Sequence, residues 1–372
     1  MHVLIVGGGI VGCAIADRLA CDGARVTLIE RDCIGGRATG ASMGHLLVID
    51  EDPAELALSA WSCERWRVEQ SSLPDAADYR AIGTLWIAAD AEEMHSAEMK
   101  HQRLAEAGID SQMLDADVLA AAEPALARGL CGALSVPGDA IVYPPTVARY
   151  LARRAQANGA KIILGEAVQR VESGAVILQD GRELCADVII LATGCETADL
   201  IGRLPLRKRK GHLLITTAAR PLVSRQVVEL GYTKSALGDA DESVAFNVQP
   251  RPNGQLLIGS TRQFDDMSSE VDPRMIGRLL ERARHFLPEV DRLQALRAWC
   301  GFRPTTPDHR PLIGACPGRQ GVWLACGHEG TGITTSLGTA ELMAAQILGS
   351  EVPFDPAPYA PSRFAADFPH AA

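Results

Sequence analysis

The sequence predicts a mixed α/β protein in which a helix-covered, largely parallel sheet is interleaved with a second unit of antiparallel strands. Three observations predict it. The first 30 residues hold an apolar strand, a glycine-rich turn, a helix and a second strand. A continuous apolar run at 187–192, far along the chain, has the length and composition of a strand buried on both faces. Between and beyond these, short strand patterns at 84–87, 211–216, 244–249 and 255–259 alternate with helical stretches, so the chain crosses between two units several times.

The opening element reads Met1-His-Val-Leu-Ile-Val-Gly7-Gly-Gly9-Ile10-Val11-Gly12, and Glu30 ends the second strand 18 residues past Gly12. Each part answers a demand of an adenine dinucleotide. Gly7 permits a tight turn, Gly9 lets backbone amides approach a pyrophosphate, and Gly12 lets the helix sit close on the sheet. The helix N-terminus at Ile10 and Val11 then faces the phosphates with its partial positive charge. Glu30 accepts hydrogen bonds from ribose hydroxyls and repels a 2′-phosphate, which disfavours NADP.

The remaining elements follow in order. A loop at 32–44 is rich in Gly, Ala, Ser and Thr, and 53–70 has helical periodicity with Trp61 and Trp66. Helical stretches fall at 91–107 and 115–122. Residues 145–158 read as a helix with proline at its start and Gly159 after its end. Strands follow at 161–164 and 167–171, then a hairpin of 175–178 and 182–185 around Gln179-Asp-Gly181. The last third offers a helix at 273–286, a strand at 322–325 and a helix at 334–348. The proline-rich tail beyond 351 is expected to lie along the surface. The expected division is 1–78, 138–205 and 296–372 for the dinucleotide-binding domain, with 79–137 and 206–295 for a substrate-binding domain.

Composition narrows the function classes. A net charge of −10 argues against a nucleic-acid partner. The one basic run, Arg207-Lys-Arg-Lys210, reads as a solvated loop. No apolar stretch reaches the roughly 18 residues of a membrane span. The first strand begins at residue 2, leaving no room for a signal peptide, so a cytoplasmic location is expected. The ten cysteines form no C-x-x-C pair, which argues against zinc or an iron–sulfur cluster within this chain. In a reducing compartment most are expected to be small buried hydrophobes.

Four segments together are similar to the D-amino-acid oxidase superfamily, which includes glycine oxidase and sarcosine oxidase. They are the N-terminal fingerprint, Asp187-Val-Ile-Ile-Leu-Ala-Thr-Gly194, Cys300-Gly-Phe-Arg-Pro-Thr-Thr-Pro-Asp308 with Pro311-Leu-Ile-Gly314, and Cys326-Gly-His-Glu-Gly-Thr-Gly-Ile333. The resemblance covers nearly the whole chain. It implies a Rossmann-like FAD-binding domain interleaved with an antiparallel-sheet substrate domain, and FAD rather than NAD. Within the superfamily, Ala41-Ser-Met-Gly-His-Leu-Leu47, Gly327-His-Glu-Gly-Thr-Gly-Ile-Thr-Thr335, Arg209-Lys-Gly-His212 and the segment 355–364 look most like the FAD subunits of D-hydroxyproline dehydrogenases. Those subunits are also similar to hydrogen cyanide synthase and opine oxidase subunits. This finer likeness implies hydroxy-D-proline or D-proline as substrate, and an acceptor other than oxygen, reached through iron–sulfur partner subunits.

The resemblance also implies site residues. Glu30 and Arg31 would flank the ribose. Arg37, Ala38, Thr39, Ser42, Met43, Gly44 and His45 would reach the pyrophosphate and flavin ring. Val168 would meet the adenine by its backbone, and Ala192, Thr193 and Gly194 close the adjoining strand. Gly301, Gly330, Gly332 and Ile333 would line the flavin edge, and Arg303, Gly327 and Thr331 are further cofactor-binding candidates.

Four residues are candidates for chemistry. Oxidation of a carbon–nitrogen bond needs the substrate oriented toward the flavin, and arginine suits a carboxylate because its planar fork bonds both oxygens. Arg303 stands where glycine oxidase carries its carboxylate-binding arginine. Asn247 and Gln249, two apart on a predicted strand, share a face. Asn247 stands where glycine oxidase has an active-site tyrosine, and its amide could bond a ring hydroxyl or the substrate nitrogen. His45 and His328 sit in glycine-flanked segments as hydrogen-bonding supports or proton acceptors. His328-Glu329 lacks a second histidine four positions on, so no metal is expected. Cys300 stands where sarcosine oxidase attaches its flavin, yet the residues after it match glycine oxidase, whose flavin is not attached. A buried thiol is the expectation there. Three rival functions remain open: an oxidase that makes hydrogen peroxide, a nicotinamide dehydrogenase, and a non-catalytic flavin-carrying subunit.

Overall fold

The computed structural model describes residues 1–202, 204–231, 241–264 and 266–367. It divides into two compact units: Met1–Tyr79, Val142–Lys208 and Phe302–Ala372 form the first, Arg80–Ile141 and Arg209–Gly301 the second.

In the first unit a six-stranded sheet runs in the order Leu312–Ala315, Val322–Cys326, Val188–Leu191, His2–Val6, Arg25–Glu30, Lys161–Leu164. All neighbours are parallel except the first pair. Val3 to Val6 align with Val188 to Leu191 on one side and Val26 to Ile29 on the other. That register brings the carboxyl ends of three strands to one edge, where parallel sheets of this kind take their ligands. Leu4, Val6, Ile189 and Leu191 pack on Val171, Val176 and Leu178 of a three-stranded sheet, Val168–Glu172, Ala175–Leu178 and Glu183–Cys185.

The helix Ile10–Cys21 lies against Pro144–Ala157 and Ser336–Leu348, and Ser336–Leu348 lies in turn against Pro53–Glu69. Pro53 and Pro144 each open their helix in the first turn, where the missing N–H is harmless. Arg154 ties the bundle by bonding both Asp17 and Glu69.

The second unit is built on an eight-stranded sheet. Its order is Ala295–Thr305, Arg207–Thr216, Leu256–Gln263, Glu242–Pro250, Gln226–Glu229, Thr84–Ala88, Gly132–Val136, Gln112–Asp115. From Arg207–Thr216 to Gln112–Asp115 neighbouring strands are antiparallel, except that Gln226–Glu229 runs parallel to Thr84–Ala88. One face carries Leu85, Ile87, Val227, Phe246, Val248 and Ile258, packed on Leu279, Ala283 and Phe286 of the helix Pro273–Phe286. Phe246 and Phe286 stack with centroids 5.2 Å apart. By strand alternation the opposite face carries Thr84, Gln226, Asn247 and Gln249.

The structure corrects four expectations. The basic run 207–210 is no solvated loop: it opens the strand Arg207–Thr216, and Arg209 and Lys210 are buried. Phe264 stacks under the Arg209 guanidinium at 4.7 Å, and Lys210 Nζ is 2.6 Å from Asp266, which pairs the charge. The tail does not simply lie on the surface, because Tyr359 is buried and its hydroxyl donates to the Ala54 carbonyl. Only five cysteines are buried (13, 63, 195, 316 and 326), so burial does not describe most of them. Cys300 is half-buried rather than buried: its strand is an edge of the eight-stranded sheet, and its Sγ lies 3.2 Å from the Ser269 carbonyl.

Candidate active site

The sheet edge of the first unit builds a glycine cradle from steric necessity. Gly7 has φ +109°, and a Cβ there would lie 2.5 Å from the Ala192 carbonyl oxygen. A Cβ on Gly12 would lie 2.0 Å from the Gly7 carbonyl oxygen, so the helix can approach the turn only as glycine. Gly9 differs. A Cβ there would meet only Thr39 Oγ1, at 3.4 Å, and Gly9 gives the helix no side-chain cap. Apart from Thr39 Oγ1, nothing lies within 4 Å of that position, so the backbone at the helix N-terminus allows the close approach a pyrophosphate needs.

The flanking residues are tightly placed. Ile10 N–H donates to Thr39 Oγ1 at 3.1 Å, which ties the 37–41 turn to the fingerprint. Val11 follows in the first helical turn. Both Glu30 oxygens accept backbone N–H groups, from Gly8 at 2.6 Å and Asp32 at 2.7 Å, which fixes the carboxylate at the strand end. Arg37 is exposed and forks onto Asp32 at 2.7 and 2.9 Å, holding that carboxyl below the usual carboxylate range. Arg31 also faces Asp32, at 3.5 Å. Ala38 lies in the same short helix, Arg37–Ala41. Val168 opens its strand and pairs with Leu178. Ala192 N–H donates to the Val6 carbonyl, Thr193 Oγ1 lies 2.9 Å from Thr197 Oγ1, and Gly194 has φ +59°.

Two later segments meet through one threonine. Gly44 has φ +85°, and a Cβ there would lie 2.0 Å from the Val142 carbonyl oxygen. Ser42 caps onto the Thr39 carbonyl, and Met43 is buried. Thr334 Oγ1 donates to the His45 carbonyl at 2.9 Å and accepts from Leu47 N–H at 3.3 Å. The Thr334 carbonyl accepts from Ser62 Oγ at 2.5 Å and Trp66 Nε1 at 2.9 Å. Segments 42–47 and 327–335 are thus locked together and to the helix Pro53–Glu69.

The turn Gly327 to Thr335 runs beside the end of the strand Ala295–Thr305. Glu329 N–H donates to the Pro304 carbonyl at 2.9 Å, and Thr305 bridges to His328. A Cβ on Gly330 would lie 3.8 Å from Arg303 Nε, which puts the half-buried arginine within van der Waals reach of the turn. Thr331 N–H closes the turn on the His328 carbonyl, Gly332 clears the His328 side chain, and Ile333 is buried. The helix predicted from 334 begins at Ser336, because Thr331 to Thr335 are used in this turn.

His328 is buried, and its Nε2 lies 3.1 Å from Thr339 Oγ1. Loss of hydration pushes its pKa down to about 4, so it is neutral at physiological pH. That environment suits a support for the turn. Cys300 is shifted upward, chiefly by desolvation, which keeps it a thiol. Gly301 lies on the same strand.

In the second unit, Asn247 and Gln249 do share a face, aligned with Gly259 and Leu257 of the next strand. Both are buried. Sequence reasoning missed Gln226 and Thr84, which join Gln249 across three strands, and missed Ser62, Trp66 and Thr334. The helix at 53–70 was legible, but its bonds to a residue 268 positions away were not. Among the described residues no group of His, Cys, Asp and Glu is arranged for a metal, and no helix is long and apolar enough to cross a membrane.

The cradle, the carboxylate at the second strand and the returning glycine-rich segments fit an extended dinucleotide. Residues 2–346 match the family model for FAD dependent oxidoreductases. The chain belongs to that family, and FAD is its cofactor. It is 30% identical over 380 residues to glycine oxidase of Pseudomonas aeruginosa, covering 97% of this chain and 98% of that protein. It is 25% identical to D-amino acid dehydrogenase of Dechloromonas aromatica, covering 94% and 97% respectively. The crystal structure of glycine oxidase from Geobacillus kaustophilus superposes with a TM-score of 0.87 at 27% identity, covering 97% and 98%.

Proposed function

We propose that this oxidoreductase dehydrogenates a D-configured amino or cyclic imino acid, with hydroxy-D-proline and D-proline foremost, and passes the electrons to an acceptor other than oxygen. FAD supplies the chemistry by accepting a hydride from the substrate Cα. The protein's task is then orientation. Arg303 carries the reading: it lies half-buried on the strand Ala295–Thr305, within van der Waals reach of the Gly327 to Thr335 turn at Gly330. A forked cation there anchors a substrate carboxylate through two parallel bonds. Asn247 supplies a neutral amide for the substrate nitrogen or a hydroxyl. His45 and His328 support the two flavin-facing segments, and the neutral His328 adds no charge to them. The first unit serves as the FAD-binding domain and the second as the substrate domain.

The likeness to D-amino acid dehydrogenase supports a non-oxygen acceptor, and iron–sulfur partner subunits would then carry the electrons onward. The likeness to glycine oxidase favours a second reading, a glycine- or sarcosine-type oxidase. A non-catalytic flavin-carrying subunit is the third. Steady-state turnover of a panel of D-, L- and N-methyl amino acids, with an artificial dye or oxygen as sole acceptor, separates them. Dye reduction with D-imino acids and little peroxide supports the proposal. Stoichiometric peroxide with glycine or sarcosine supports the oxidase, and no turnover with either acceptor supports the carrier.

A further inference from the structure

The buried acceptors on the second unit's sheet point to one feature of the substrate. Gln226 Nε2 donates to the Ala140 carbonyl oxygen at 3.1 Å and lies 3.3 Å from Thr84 Oγ1. A carbonyl can only accept, so this contact fixes which way the Gln226 amide faces. Gln226 Oε1 must then point toward Gln249, where it accepts from Gln249 Nε2 at 3.2 Å. Gln249 in turn is left presenting Oε1, an acceptor, at the end of the relay. Gln249 Oε1 is buried and has no hydrogen-bond partner among the described residues. The same holds for Asn247 Oδ1, two positions earlier on the same face, and for Ser260 Oγ on the adjoining strand.

Buried acceptors without donors are destabilising unless something donates to them. Alternate residues on a strand stand roughly 6.6 Å apart, so the hydrogens of a single nitrogen do not readily serve both amides. A neutral secondary amine has one N–H in any case. The second acceptor therefore calls for a second donor, several ångströms from the nitrogen.

We infer that Gln249, oriented by Gln226, is a specificity-determining residue whose Oε1 accepts a hydrogen bond from a hydroxyl on the substrate. Gln226 is a positioning residue. This rests on the reading of the second unit as the substrate domain, and it narrows the substrate to hydroxylated members of the proposed class.

The test uses the FAD-loaded protein and two non-reacting carboxylates that differ by one hydroxyl, cyclopentanecarboxylate and 3-hydroxycyclopentanecarboxylate. Each is titrated while the flavin band is followed. The wild type should bind one isomer of the hydroxylated acid about 10-fold more tightly, the scale of one hydrogen bond at about 1.4 kcal/mol per factor of ten. Gln249→Leu should erase that ratio and leave cyclopentanecarboxylate within about 3-fold, a margin well under one such factor. Gln226→Leu, which leaves Gln249 Oε1 in place but removes the acceptor that holds its amide, should lower the ratio part of the way by freeing the Gln249 amide to rotate. Equal wild-type affinities, binding of neither acid, or a ratio unchanged in both variants would overturn the inference. Should no amino or imino acid reduce the flavin while the hydroxyl preference persists, the functional reading fails and this inference stands.

Discussion

The fingerprint of the first unit and the sheet face of the second treat their polar groups differently. Around the fingerprint of the first unit the key polar side chains have donors or acceptors in place: Glu30 takes two backbone N–H groups, Thr39 takes Ile10, and both oxygens of Thr334 are engaged. On the sheet of the second unit, Asn247, Gln249 and Ser260 each keep a buried oxygen without a hydrogen-bond partner among the described residues. A site that holds a resident cofactor is pre-organised by internal bonds. On the proposed substrate face, acceptors would be kept in reserve for a transient ligand, at a cost to stability.

The sharpest test of that contrast uses the glycines. Gly12→Ala places a Cβ 2.0 Å from the Gly7 carbonyl, and the expected outcome is loss of soluble flavoprotein, a destabilisation above about 3 kcal/mol. Gly9→Ala meets nothing closer than 3.4 Å, so it should fold with little change in Tm yet bind FAD more weakly. Thermal denaturation with and without added FAD separates the two. If Gly12→Ala keeps its flavin, the cradle is looser than its geometry implies.

His328 comes next. Its folded pKa, about 4, lies below the unfolded value of about 6.5, so the unfolded chain binds the extra proton first as pH falls. Stability should therefore decline between pH 6.5 and about 4, by roughly 3 kcal/mol from this residue. Denaturant unfolding across that window should flatten in His328→Gln. An identical slope in both proteins would place the histidine in a more hydrated setting.

Arg303→Lys should raise KM about 10- to 100-fold while FAD content is unchanged, because an ammonium cannot reproduce the forked pair. Unchanged kinetics would remove Arg303 from its anchoring role. The smallest effect belongs to Thr334→Val, expected to lower stability by about 1 kcal/mol and shift the flavin spectrum as segments 42–47 and 327–335 separate. Thr334→Ser should restore both, and a spectrum unmoved in the valine variant would reduce Thr334 to a packing residue.

The first unit was more legible in the sequence than the second because its constraints are local. Gly7, Gly12 and Glu30 answer to a turn, a helix contact and a strand end within 30 residues, and each leaves a residue-type signature. In the second unit the strand parity of Asn247 and Gln249 could be read, but Gln226 and Thr84 could not. They become neighbours only when strands at 84, 226 and 249 align, and no short-range pattern carries that register. The basic run at 207–210 misled for a related reason. Charges in series read as solvated until Phe264 and Asp266, more than 50 positions on, are seen covering them.

The most direct measurement is anaerobic mixing of the purified FAD-loaded protein with hydroxy-D-proline, following the visible flavin band. Bleaching by this acid, slower bleaching by D-proline and none by the L isomers is the predicted result. A band unmoved by every D-amino and D-imino acid, though dithionite still bleaches it, would contradict the account.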